Sequence, residues 1–220
     1  MAADQYRLVI GNKGWSSWSL RPWLAMRRIG LPFEEINVQL RQPDSKEQIL
    51  KYSPSGMVPL LIDGDFAVWD SLAILEYLAD AHPDRKLWPE ERRARALARS
   101  VAAEMHSGFM PLRRTCSMDI LAKSPLDPVP EEVEADVRRI VAIWRQCRSA
   151  YGQSGPFLFG GFTAADAMYA PVASRFRTYI PDLARFGDDG TAADYVATIF
   201  AMPEIREWIE GAKAQAAATP

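Results

Sequence analysis

A chain of 220 residues allows one large domain or two small ones, and 48% hydrophobic with 25% charged residues is an ordinary globular composition. A formal net charge of −2 argues against a nucleic-acid partner, which would need a basic face. No apolar run reaches membrane-spanning length, and the first residues lack the charged-then-apolar layout of a secretory leader, so a cytoplasmic protein without membrane contact is expected. Cys116 and Cys147 form no motif and read as free thiols of a reducing compartment. His82 and His106 stand isolated, so no metal site is expected.

In chain order, residues 7–10 are a short strand candidate ended by Gly11, and 11–18 are a loop. A helix is expected from Ser19 or Leu20 to Ile29, with Leu20, Trp23, Leu24 and Met26 on its apolar side. Pro22 is tolerable in a first turn, which sets that start, and Gly30-Leu31-Pro32 stops the helix. Residues 33–40 alternate as a second strand and 45–52 suit a short helix. Two apolar runs, 60–62 and 66–69, flank Asp63-Gly64, a strong hairpin turn. Asp70 and Ser71 then offer two N-cap side chains before Leu72, Leu75, Leu78 and Ala79, which follow a helical period. The order βαβαββα over residues 1–82 is that of a thioredoxin-like α/β domain. A disulfide-exchanging version would carry Cys-x-x-Cys at the first helix, where this chain reads Ser16-Ser17-Trp18-Ser19.

Residues 83–89 read as a linker, and 90–220 as an all-α C-terminal domain. A long helix is expected from Glu90 to about Arg114, a Pro-rich loop over 124–130, and a second long helix over 131–151. A turn-rich loop over 152–162 leads to Thr163, which with Asp166 three positions on forms a near capping box. Helices over 192–201 and 203–212 follow, and the Ala-rich tail is expected to fray.

The chemistry concentrates in two places. Hydroxyls at the start of the first helix, Ser16 and Ser17, see its positive end and can donate to a thiolate. Lowering a free thiol from a pKa of about 8.5 by about two units needs ~2.7 kcal/mol. A helix terminus supplies ~0.3–1 kcal/mol, up to ~2, and a hydrogen bond to a charged group ~1.5–3 kcal/mol, which together suffice without a general base. The second place is Met57-Val58-Pro59 with Asp70-Ser71. Pro59 cannot donate to a ladder, so its neighbours' backbone can bind a ligand, and a capped helix start can hold both an ammonium and a carboxylate. Ordinary helix capping by the serines and an ordinary hairpin before a capped helix are the alternatives.

Val58-Pro59-Leu60-Leu61, then Asp63-Gly64, then Asp70-Ser71-Leu72-Ala73-Ile74 resembles the glutathione-binding half of the glutathione S-transferase family, and the resemblance extends over about residues 6–210. It implies glutathione as co-substrate, a cis Val58–Pro59 bond, a backbone pairing of Val58 with the cysteinyl part, and Asp70 and Ser71 on the γ-glutamyl group. Met57 stands where the family usually has Lys or Gln. Arg41, Gln42 and Lys51 are candidates for the glycyl carboxylate. Ser16, Ser17, Ser19 and Arg21 are similar to the zeta class, which includes maleylacetoacetate isomerases, with Trp18 in place of that class's cysteine and Leu20 in place of its tryptophan. Either Ser16 or Ser17 would face the sulfur, Ser16 being preferred. Trp18, Met105, His106, Phe109, Arg113 and Arg175 are the implied electrophile-site residues, although the Met and Phe positions also fit a helix core. The implied activity is a serine-type transferase adding glutathione to a small electrophile. The alternatives are a glutathione-dependent cis–trans isomerase and a non-enzymatic interaction module. A homodimer is implied too.

Overall fold

The structure, a computed structural model, describes residues 6–218. It opens with β1 (Tyr6–Ile10), α1 (Ser17–Arg28), β2 (Phe33–Asn37), α2 (Ser45–Leu50), β3 (Leu60–Asp63), β4 (Phe66–Val68) and α3 (Ser71–Ala81). The four strands lie in the order β2-β1-β3-β4, with β1 and β2 parallel and the other pairs antiparallel. This is the expected thioredoxin-like βαβαββα arrangement. Period-two alternation decides what each face buries. Leu8, Ile10 and Leu61 join the large core with α1 and α3, while Val9, Leu60 and Ile62 meet Val38 and Ile49 of α2 on the opposite face.

Among the described residues six α-helices follow: α4 (Arg92–Ser107), α5 (Met110–Thr115), α6 (Glu131–Tyr151), α7 (Ala164–Tyr179), α8 (Thr191–Ala201) and α9 (Pro203–Ala218). Helix α1 packs on α7 and α9 as well as on its own sheet, so the large core runs without a break from Leu8 to Ala212. Trp23 of α1 meets Trp208 of α9 edge to face at 5.0 Å. Lys13, in the loop before α1, forms an ion pair with Glu35 at 2.9 Å and lies over both of those indole rings. The Lys13 carbonyl accepts from Trp208 Nε1 at 2.7 Å. The C-terminal helix therefore holds the loop that carries the serines.

Several expectations about element limits are corrected. Helix α1 starts at Ser17, because the Trp15 and Ser16 amides turn back onto the Asn12 carbonyl and begin the coil early. Pro22 is thus the sixth helical residue rather than a first-turn one, and the Trp18 carbonyl loses its usual amide donor. The single helix expected to Arg114 is two. Gly108 leaves α4 in an extended conformation, Phe109 takes a left-handed φ of 58°, and Pro111 sits in the first turn of α5. A side chain at Gly108 would meet the Glu104 carbonyl 2.7 Å away, so the break needs glycine there. Finally, α9 continues to Ala218 because alanine is the best helix former. The expected strand over 33–40 ends at Asn37, and the helix over 45–52 ends at Leu50. Cys116 and Cys147 are free and buried, and burial pushes their thiols up to about 11 and about 12.

Candidate active site

Helix α1 points its N-terminus toward the helical half, and no acidic side chain lies in its first turn. Neither serine caps it. The Ser16 hydroxyl donates to Ser19 Oγ at 2.7 Å, and Ser19 in turn accepts from the Gly11 amide at 3.1 Å. Ser16 therefore ties the loop together below the surface. Ser17 Oγ faces the other way and accepts from Arg175 Nη2 at 3.3 Å, leaving its own proton to donate. Ser17 lines a cavity of about 280 Å³ whose wall also includes Trp15, Trp18, Arg41, Arg113, Arg114 and Arg175.

The break between α4 and α5 turns Arg113 and Arg114 toward this cavity. Arg113 Nη1 donates to the carbonyls of His106 and Gly108 at 3.1 and 3.3 Å, closing the end of α4, while its guanidinium lies 4.6 Å from the Trp18 ring centre. Arg21 stacks on Trp18 at 4.1 Å. Arg21 is almost fully buried, donates to Ser71 Oγ at 3.2 Å, and has no partner for its Nε. Burial, then the charges of Arg175 and Arg113, hold the Arg21 guanidinium down at about 9, partly opposed by Asp70. Arg175 is held at about 10, by burial first and then by Arg113. Its nitrogens are committed to the Cys116 and Pro171 carbonyls and to Ser17. It braces α7 against the serine loop more than it reaches into the cavity.

At the start of α3, Asp70 Oδ1 accepts from the Leu72 amide at 3.0 Å and more distantly from Ala73. Asp70 Oδ2 faces His106 Nε2 of α4 at 3.1 Å. The Val58–Pro59 bond is cis, and the β1–β3 ladder ends at the Val9–Leu60 pair, leaving Val58 just outside it. Met57 is 71% exposed beside this edge.

The structure thus brings Ser17, Trp18, Arg113 and Arg175 to one cavity, with Asp70 and Ser71 on the near side of Arg21. It separates others. Met105 is fully buried in the core, and Phe109 is buried with it, so neither lines the cavity. Their apolar helical spacing was a packing signal. His106 meets Asp70 and the edge of Trp18 at 5.3 Å instead of the cavity wall. Among the carboxylate candidates, Arg41 lines the cavity and lies 4.5 Å from the Trp15 ring, whereas Lys51 turns onto Gln48 and Gln42 is held by its backbone N–H on Ser45 Oγ. Trp15, Arg114, Ser117 and Met118 line the cavity without a motif to announce them. The Gly108–Pro111 break was the one local signal that the chain turns there. A second cavity, of about 210 Å³ between α9 and the serine loop, is lined by Asn12, Trp15, Leu121 and Ala212 among others and holds neither serine hydroxyl nor cation.

A four-stranded sheet domain with a cis proline, followed by a helical half packed on its first helix, defines a two-part thioredoxin-like and all-α class of fold. The comparisons with known proteins give the family. Residues 15–81 match the model of the glutathione S-transferase N-terminal domain, and residues 130–211 that of the C-terminal domain. A zeta-class glutathione S-transferase of Euphorbia esula is 31% identical over 193 residues, covering 86% of this chain and 71% of that protein. A probable maleylacetoacetate isomerase of Caenorhabditis elegans is 32% identical over 107 residues, about half (49%) of either protein. A glutathione transferase homolog from Burkholderia, solved with bound glutathione, superposes with a TM-score of 0.72 over 96% of this chain and 99% of its own at 22% identity, a likeness of fold. The chain belongs to the glutathione S-transferase family, and its relatives include a zeta-class member.

Proposed function

We propose that the chain is a glutathione transferase that binds glutathione along the Val58–Pro59 edge, stabilises its thiolate with the Ser17 hydroxyl, and adds it to a small anionic electrophile. The γ-glutamyl end would lie at Asp70 and Ser71, and the sulfur at the N-terminus of α1. Ser17 is favoured over Ser16 because its proton is uncommitted, while that of Ser16 goes to Ser19. Arg175 polarises Ser17 by donating to its oxygen, and the helix end adds its positive potential. The observation that carries the reading is this hydroxyl at the mouth of an arginine-lined cavity, at a helix end free of acidic side chains.

The cavity lining includes Arg41, Arg113 and Arg114, none of which is fully buried, and no carboxylate. Such a wall suits an electrophile bearing carboxylate groups. Turnover with matched anionic and neutral electrophiles tests this. Arg113→Leu is expected to lower kcat/KM about 5- to 10-fold for the anionic substrate and little for the neutral one. Equal losses for both substrates would contradict it. The same arginines favour a second reading, glutathione-dependent cis–trans isomerisation of an unsaturated dicarboxylate, in which the thiolate adds to the double bond, the adduct rotates, and glutathione leaves. One relative is named a probable maleylacetoacetate isomerase. Turnover of maleylacetoacetate by the pure protein decides it, and none at high enzyme concentration removes it.

A homodimer is proposed on the edge-strand side, where Met57, Phe66 and Trp69 are 71%, 58% and 48% exposed. Sedimentation is expected to give a dimer for the native chain and a monomer for Phe66→Glu. A monomeric native chain would contradict the assignment.

A further inference from the structure

We infer that His106 is a positioning residue for the amino end of the thiol substrate, and that it makes binding of that end weaken when the imidazole takes up a proton. The inference rests on the glutathione reading above. Asp70 divides its oxygens. Oδ1 holds the first amides of α3, and Oδ2 faces His106 Nε2 at 3.1 Å across the boundary between the two halves of the molecule. The Asp70 side chain is still 46% exposed, so an ammonium can reach it. Ser71 is fully buried and its hydroxyl oxygen accepts from Arg21, so what it has left is a proton for a carboxylate, and the ammonium falls to Asp70.

The imidazole is held in place. Its edge packs against Trp18 at 5.3 Å, and Nδ1 is buried without a partner. With a carboxylate on Nε2, the neutral ring carries its proton there and donates to Asp70, fixing the carboxylate for a ligand. The charged groups around the ring are Asp70 at the start of α3, Arg21 on α1 across the Trp18 ring system, and Arg113 on α5, whose Nη1 donates to the His106 carbonyl. A proton on the ring adds a second cation to the Arg21 charge that already acts on this carboxylate. The incoming ammonium then competes with an imidazolium for Asp70, and affinity falls with acidification.

The test is calorimetric binding of glutathione, and of its analogue lacking the γ-glutamyl amino group (glutaryl-cysteinyl-glycine), at about pH 8 and about pH 5, the span over which imidazoles titrate. The proteins are native, His106→Ala and His106→Gln. The native protein is expected to bind glutathione about 3- to 5-fold more weakly at the lower pH. His106→Ala should be weaker at the higher pH and flat with pH. His106→Gln, which keeps a donor at similar reach, should match the native protein at the higher pH and lack the acid loss. The analogue should show none of these differences. If the native protein binds glutathione but all three proteins share one affinity and one pH profile, or if the analogue reproduces the pattern, the role of His106 is overturned and the transferase reading stands. If the native protein binds neither ligand at either pH, the transferase reading itself fails.

Discussion

Asp166→Ala is expected to lower the unfolding free energy by about 3–5 kcal/mol. The carboxylate is fully buried and accepts from four donors: the Leu158 amide at 3.0 Å, the Thr163 amide at 2.7 Å, the Thr163 hydroxyl at 2.9 Å and the Tyr195 hydroxyl at 3.0 Å. Burial pushes its pKa up, while all four bonds pull it down. Removing the carboxylate leaves buried donors that water cannot reach. The damage also spreads, because Tyr195 packs on Trp144 at 4.6 Å, and Trp144 meets Tyr169 and Phe176 in the centre of the helical half. Denaturant unfolding followed by tryptophan fluorescence checks the value. Asp166→Asn, which keeps one oxygen, should lose less. A loss below about 1 kcal/mol for the alanine variant would mean that the donors find other partners.

Ser17→Ala is expected to reduce kcat/KM for glutathione addition about 10- to 100-fold, the worth of one hydrogen bond to a charged sulfur. Glutathione should still bind, since the Val58 edge and Asp70 are untouched. Ser16→Ala should act differently. It removes the donor to Ser19 and loosens the loop under the Gly11 amide, so its effect should fall on stability before rate. The two variants measured together, by steady-state rates and by melting, separate a hydroxyl that faces sulfur from one that holds the loop.

Much of this architecture was legible wherever a local rule decided it. Asp63-Gly64 gave the hairpin, Asp70 the cap of α3, and Thr163 with Asp166 the start of α7, because turns and caps are made by residues a few positions apart. The motif around Val58-Pro59 and the serine run carried the family. What was not legible depended on contacts between distant segments. Ser16 and Ser17 are neighbours with the same side chain, and the contacts that distinguish them are the bond from Ser16 to Ser19 and the one to Ser17 from Arg175, 158 residues on. His106 was expected at the electrophile site, yet Asp70 of the other half takes its Nε2. Met105 and Phe109, named with it for the same site, went to the core. The role of α9 could not be read either, since nothing near Trp208 in sequence indicates that its indole holds the Lys13 carbonyl.

The proposed function turns on the Ser17 hydroxyl stabilising the thiolate of bound glutathione. The most direct measurement is the ultraviolet thiolate band of the glutathione complex, titrated against pH for the native protein, Ser16→Ala and Ser17→Ala. The thiolate is expected to form well below the free thiol value of about 8.5 in the native protein and in Ser16→Ala, and to return toward that value in Ser17→Ala with binding retained. An unchanged titration in Ser17→Ala, or a shift confined to Ser16→Ala, would contradict it.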